Sequence, residues 1–355
     1  MATSFKALNN QDVSRSQTKL HESIPLTGTI LSGTYSDNNI KNYSHGMFQS
    51  VYDYPYLSSS ANHIIDLTAG WTPNSSLSSS ANVVQRNQKN DIYNEMSQML
   101  AGYDTTGSIN KLDVSGNFGS TVAADKINEA LVFNFARLLT KDEIQKGSSI
   151  SGGGFSMTLG VSSSYTSPFA KTLTVYDKDG TNAKTNSPAG EFNVLYATGS
   201  GFAASSERPC GLLFYQAGIA ILTSSVFTSA FVEACAMDGA GTLIPNLLVS
   251  GSISGSCDAL RHRVQNIIFS NTTELNSTIY FCRANNGEFN YSSNPTYLSS
   301  SQIRVKEIAT DNPVSYVTAV GLYSADNALL AVAKVSEPIK KTPAEEYTLR
   351  VRLDY

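Results

Sequence analysis

From position 347 onward the chain alternates Tyr347, Leu349, Val351, Leu353 and Tyr355 with Thr348, Arg350, Arg352 and Asp354. A period of two sets successive side chains on opposite faces of a strand. The apolar set is therefore expected to face a core, and Arg350 and Arg352 to face solvent or an acidic neighbour. Upstream, residues 315–323 (SYVTAVGLY) and 328–336 (ALLAVAKVS) flank the turn cluster Ser324, Ala325, Asp326 and Asn327, which reads as a hairpin. A Pro-bounded loop over residues 337–345 precedes the last strand. Three strands in succession place the end of the chain inside a sheet. Chain ends fray unless tied down, so a terminal strand that keeps its alternation suits a packed or partner-paired end. Tyr347, Arg350, Arg352 and Tyr355 are the candidate interface residues.

The same period recurs over much of the chain. HIIDLTAGW (63–71), LVFNF (131–135), FSMTLGV (155–161), TLTVYDKDG (172–180), EFNVLYA (191–197), GLLFYQAGIAILTSSVF (211–227), LIPNLLVSGSI (243–253), VQNIIFS (264–270) and STIYFCRA (277–284) all read as strands. Asp179-Gly180 is a hairpin signal. One helix stands out over residues 90–101, where Ile92, Met96, Met99, Leu100 and Tyr103 fall on one face and Gly102 supplies a stop. A second is expected to start near Thr121, and a short helical stretch over residues 140–144.

The fold class expected is mostly β: a multi-domain antiparallel β-sandwich or barrel with a small α-helical insert. Four regions are drawn. Residues 1–50 form an extended N-terminal arm or edge strand, 51–129 a mixed segment with the helical insert, 130–255 a β-sandwich domain, and 256–355 a C-terminal β domain. LSSSAN occurs twice, at 57–62 and 77–82, either by chance in a Ser-rich chain or as two equivalent turns.

Composition narrows the function. Of 355 residues, 41% are hydrophobic and only 15% charged, against a usual charged share of about 25%. Uncharged polar surfaces of this kind suit protein–protein contact. The net charge of −4 gives no field to hold a polyanion, so no nucleic-acid partner is expected. No apolar run reaches the length of a membrane span and the first residues lack an apolar leader pattern, so neither a membrane partner nor export by a signal peptide is expected. The triplets at Asn271 and Asn276 then read as polar loop sequence rather than glycosylation sites.

Recognisable chemistry is sparse. Cys210, Cys235, Cys257 and Cys282 contain no C-x-x-C pair, and are read as buried free thiols, with one or two disulfides as the other reading. His21, His45, His63 and His262 form no metal-ligating pattern. His45 and His63 read as structural or surface residues. His262 stands between Arg261 and Arg263, whose charges would depress its pKa if the three were close. No G-x-S-x-G elbow occurs. Asp177-Lys178-Asp179-Gly180-Thr181-Asn182 resembles a calcium loop but lacks the closing Glu. Asp142-Glu143 and Glu345-Glu346 are adjacent pairs, which a strand splits between its faces. Gly199-Ser200-Gly201 has no following helix or Lys to cradle a phosphate. No catalytic residue, cofactor or metal site is assigned.

Three stretches, taken together, resemble structural proteins of tailed bacteriophages. LVFNFARLLTKDEIQKGS followed by FSMTLG is similar to an "apolar strand, Arg, short acidic turn, Ile, Lys-Gly-Ser, Phe-Ser-Leu" pattern there, and CGLLFYQAGIAILTSSVF to the "Gly, apolar, Phe-Tyr, Gly-Ile, apolar, Thr" strand pair that follows it. NNGEFNYSSNPTYLSSSQIRVKE with the last forty residues resembles the terminal module of large virion proteins of contractile-tailed marine phages. The resemblance implies a non-enzymatic virion structural protein, a component of the tail, baseplate or neck. It implies assembly through homo- and hetero-oligomeric β-rich interfaces with other virion proteins, and synthesis and assembly in the host cytoplasm. The alternative is a receptor-binding, adhesin-type tail-fibre protein whose Tyr-rich stretch at 52–56 contacts host-surface carbohydrate. A virion-associated hydrolase would need an acidic pair or a metal cluster that the spacing does not offer.

Overall fold

The computed structural model describes residues 5–26, 39–53, 62–148, 154–162, 164, 166–199, 207–228, 248–290, 298–299, 302–303, 310 and 312–355. Its strands in chain order are β1 (Val13–Leu26), β2 (Ile40–Asn42), β3 (Gln49–Tyr52), β4 (His63–Trp71), β5 (Glu129–Phe135), β6 (Glu143–Ile144), β7 (Ser156–Gly160), β8 (Thr172–Asp177), β9 (Thr185–Ser187), β10 (Gly190–Gly199), β11 (Arg208–Phe214), β12 (Ile219–Thr223), β13 (Val264–Ala284), β14 (Leu298–Ser299), β15 (Gln302–Ile303), β16 (Ser315–Tyr323), β17 (Leu329–Lys341) and β18 (Tyr347–Asp354). The helices are α1 (Arg86–Leu100), α2 (Arg137–Thr140), α3 (Gly180–Ala183) and α4 (Ile253–Arg263). The protein is mostly β and antiparallel. Strand order in the 14-stranded sheet is β1-β13-β7-β8-β10-β11-β12-β5-β4-β3-β2, with β6 and β18 also on β13 and β9 on β10.

The chain divides into two compact units, Leu20–Thr273 and a terminal unit of Met1–Lys19 with Glu274–Tyr355. β1 and β13 each run from one into the other.

In the larger unit the central strands are covered on both faces. Leu131, Phe133 and Phe135 of β5 join one core with Leu213, Ala220 and Leu222, while the intervening Ala130 and Val132 join a second core with Leu212, Phe214, Ile219 and Ile221. Two buried faces explain why this part of the sequence is nearly continuous in Leu, Ile, Val and Phe. The sheet also bends over itself. Phe135 on β5 meets Phe269 on β13 at 5.2 Å between ring centroids, although five strands separate the two in the sheet order. This is the sandwich-like arrangement expected.

α1 covers the second core with Tyr93 and Leu100. It approaches β4 closely because Gly70 has no side chain: a Cβ there would lie 2.5 Å from the Lys89 carbonyl oxygen. The helix ends at Gly102, whose φ of +72° suits glycine. At its other end Gln85 does not cap α1 but accepts from the Ile253 N–H at 2.8 Å, which ties the starts of α1 and α4 together.

Several sequence expectations are corrected. The helix near Thr121 is only a 3-10 turn at Ala123–Asp125. The Asp179-Gly180 hairpin is instead the single turn α3, and β8 pairs with β10 rather than β9. Of the strand expected over 243–253, residues 248–250 are helical and Ile253 begins α4, while 243–247 lie outside the described residues. The segment Asn271 to Asn276 is no loop: β13 is one strand of 21 residues. Its polar middle stays extended because β6 pairs with Asn271 and Thr272, and β18 takes over from Ser277. β17 runs on through Pro338 to Lys341. Pro338 is tolerated there because the register with β16 breaks between Val317 and Ala319, where no ladder N–H is required. Of the LSSSAN copies, the second forms a 3-10 turn at Ser76–Ser79 and the first lies almost wholly outside the described residues.

Candidate interaction surface

The last strand has the burial its alternation demands. Val351 is buried, Tyr347, Leu349 and Leu353 are half-buried, and Thr348, Arg350, Arg352 and Asp354 are exposed. β18 pairs with β13 from Ser277↔Asp354 to Ala284↔Tyr347. Its partner is thus β13 and not the preceding strand β17. Tyr355 continues the ladder, exchanging backbone hydrogen bonds with Asn276 at 2.9 and 3.0 Å. Its side chain is a correction to the core-facing expectation. The ring is 72% exposed and only its hydroxyl is engaged, 3.1 Å from Thr278 Oγ1.

The four candidate residues are therefore not equivalent. Arg350 is exposed and makes no ion pair among the described residues. Arg352 donates from Nε to Asp354 Oδ1 at 2.7 Å and from Nη2 to Ser277 Oγ at 3.2 Å. The Ser277 hydroxyl, with Arg352 beside it, holds the Asp354 carboxyl below its ordinary range. Register is strongly specified wherever one face is buried. Val351→Asp is accordingly expected to cost about 2–3 kcal/mol in urea denaturation, and Arg350→Asp no more than about 0.5 kcal/mol. Equal midpoints for the two variants would mean that the strand does not bury this face.

β16 and β17 form a two-stranded ribbon that, among the described residues, no third strand extends. Tyr323 pairs with Leu329 and Gly321 with Val332. With no side chain at Gly321, the Tyr323 ring lies over it beside Leu329. Phe5 meets Tyr323 edge-on at 4.8 Å. Phe5, Tyr323, Leu329 and Val332 are each roughly half exposed, and Leu330 is 69% exposed.

The base of the ribbon is fixed by a buried cation. Lys341 is wholly inside, and its ammonium donates to Asn290 Oδ1 at 2.9 Å and to the carbonyls of Thr342 and Asn286 at 2.9 and 3.3 Å. Ser315 adds a bond to the Phe289 carbonyl at 2.5 Å. Apolar support is thin: the only buried hydrophobic residues of this unit, among the described residues, are Leu322 and Val351.

The remaining residues with chemical potential are dispersed. His21 sits 3.1 Å from Thr272 Oγ1, and His63 pairs with Asp66 at 2.8 Å. Arg261 and Arg263 are buried on α4, with His262 half-exposed between them. Cys210 and Cys257 are buried free thiols, which burial pushes far above their ordinary pKa; Cys282 is free and half-buried. Cys235 lies outside the described residues. Among the described residues no three His, Cys, Asp or Glu side chains are grouped to hold a metal ion, and no helix is long and apolar enough to cross a membrane.

Asp177, first residue of the calcium-like hexapeptide, is fully buried. It accepts from Gly147 N at 2.8 Å, Tyr215 Oη at 2.7 Å and Asn193 Nδ2 at 2.9 Å. Protein donors fill its lone pairs. Its role is in the core.

No family model matches the sequence, and neither the curated proteins nor the solved structures contain a match to it.

Proposed function

We propose that the chain is a non-catalytic structural subunit of a virion, a component of the tail or baseplate, which joins copies of itself and other virion proteins through the β surfaces of its terminal unit. One observation carries the assembly role. The terminal unit holds an isolated two-stranded ribbon with apolar side chains in solvent and almost no apolar core among its described residues. A two-stranded ribbon is marginal by itself in water, and contiguous exposed apolar residues mark interaction surfaces. A partner laid on Phe5, Tyr323, Leu329 and Val332 would supply the missing cover. Assignment to a virion rests on the resemblance of the sequence to tailed-phage structural proteins.

The receptor-contact alternative asks for exposed tyrosines at 52–56. Tyr52 is buried, its ring 5.2 Å from that of His63, and the two later tyrosines lie outside the described residues.

Light scattering coupled to size-exclusion chromatography tests the assembly role. The full chain is expected to run as an oligomer, and the combined substitution Leu329→Ser, Leu330→Ser and Val332→Ser to shift it toward monomer without changing the melting of the larger unit. Mass spectrometry of purified particles tests the virion assignment. A chain that stays monomeric at high concentration and is absent from particles would refute both parts.

A further inference from the structure

The larger unit contains a cleft of about 540 Å³ between α1, strands β4 and β5, and the segment from His45 to Phe48. That volume lies within the range of about 300–1,000 Å³ usual for small-ligand sites. Sheet register builds its polar wall. Asp66 on β4 pairs directly with Asn134 on β5, and Thr68 with Val132, so these four side chains share one face while Ile65 and Phe135 point into the core behind. Glu95 projects from α1 over the same space.

These polar groups are only partly used by the protein. Asp66 Oδ1 accepts from Ser50 Oγ at 2.5 Å and sits 2.8 Å from His63 Nε2. No described residue hydrogen-bonds its other oxygen, the Asn134 amide or the Glu95 carboxylate.

The remaining wall is aromatic. Phe48 packs against His45 at 5.0 Å and Tyr43 at 4.8 Å between centroids, and Tyr43 stacks on His45 with 7° between planes. His45 Nδ1 accepts from Met47 N at 3.0 Å, which fixes the orientation of the ring. Among the described residues no Lys or Arg lines the cleft. The nearby Lys41 ammonium lies over the Tyr43 ring instead, 5.2 Å from its centroid.

Two carboxylates with no lining cation repel anions, and aromatic faces attract cations through their quadrupole. We propose that this cleft binds a small organic ammonium ligand, a compact apolar body bearing one positive amine, against Phe48 and His45 with its charge toward Asp66 and Glu95. Met47 and Met96 supply polarizable apolar surface for the body.

Isothermal titration of the full chain with choline and with its uncharged isostere 3,3-dimethylbutan-1-ol separates charge recognition from shape. Choline is expected to bind at least about tenfold more tightly than the isostere. Its affinity should fall with added salt. Phosphocholine should bind more weakly than choline, because its phosphate meets carboxylates and no cation. Glu95→Gln alters an exposed helix position and should weaken choline at least about threefold while leaving the isostere unchanged. Equal binding of choline and isostere, no saturable choline binding, phosphocholine as tight as choline, or an unchanged Glu95→Gln affinity would each overturn the proposal.

Discussion

Asp177→Ala is expected to lower the unfolding free energy of the larger unit by about 3–5 kcal/mol, because three buried donors lose their acceptor at once. The carboxylate ties β8 to β10 through Asn193, to the end of β11 through Tyr215, and to the loop after β6 through Gly147. Water cannot replace it. Asp177 has no exposed surface, and the space beside it is taken: a Cβ on Gly180 would fall 1.9 Å from Tyr215 Oη and 2.3 Å from Asp177 Oδ2. Burial, reinforced by the Asp177 carboxylate, drives the Tyr215 phenol far above its ordinary pKa, so it remains a proton donor at any working pH. Tyr215→Phe removes one donor and should cost about 1–2 kcal/mol. The double variant should cost less than the sum, since one orphaned donor disappears with the hydroxyl. Urea denaturation of the four proteins measures this cycle. Strict additivity would show that the two groups do not share a bond.

That cluster also marks where the sequence stops being readable. Asp179-Gly180 carries a turn signal, but Gly180 is needed for room beside Tyr215 and Asp177, which are 35 and 3 residues away. Only the tertiary pairing brings those groups to it. Strands were legible wherever burial is periodic, as in β18, or continuous, as in β11 and β12 with both faces covered. β13 was not, because Leu275 is the single apolar residue from Asn271 to Asn276 and the segment is held extended by partners remote in the chain. α4 was missed although Ser252 caps Gly255 at 3.1 Å and Ile253, Cys257 and Leu260 lie on one buried side; the apolar run before it suggested a strand instead. The cleft follows the same logic. Asp66 and Asn134 face each other only because β4 and β5 pair in one register, and nothing in the chain between them announces it. The β16–β17 hairpin and the strand β18 were the most visible features, since both are local patterns, whereas the exposed apolar side chains of the ribbon, with Phe5 against Tyr323, were not, because that contact joins residues far apart in the chain.

The buried ammonium of Lys89 gives the second large effect, and a pH signature. Lys89 has no exposed surface. It donates to the carbonyls of Leu248 and Gly251, the latter at 2.9 Å, and lies 4.8 Å from the centroid of the Trp71 ring. Lys89→Ala leaves both carbonyls without their donor and opens a cavity against Trp71, which should cost about 2–5 kcal/mol. Lys89→Met keeps most of the volume and should recover about 1–2 kcal/mol of that loss. Burial pulls the Lys89 pKa from 10.5 down to about 8. Below pH 8 both folded and unfolded chains hold the proton, and the cost of burying the charge is borne in full. Between pH 8 and 10.5 the folded chain releases the proton while the unfolded chain keeps it. The unfolded state then binds more protons, and the unfolding free energy contributed by this residue rises with pH. A neutral amine still has a hydrogen for each of the two carbonyls, so the contacts survive the titration. The stability difference between the parent and Lys89→Met should therefore move in favour of the parent as pH increases from 7 to 10, in urea melts at constant ionic strength. A difference that stays flat over that interval would mean that the carbonyls and the Trp71 face hold the proton as tightly as water does.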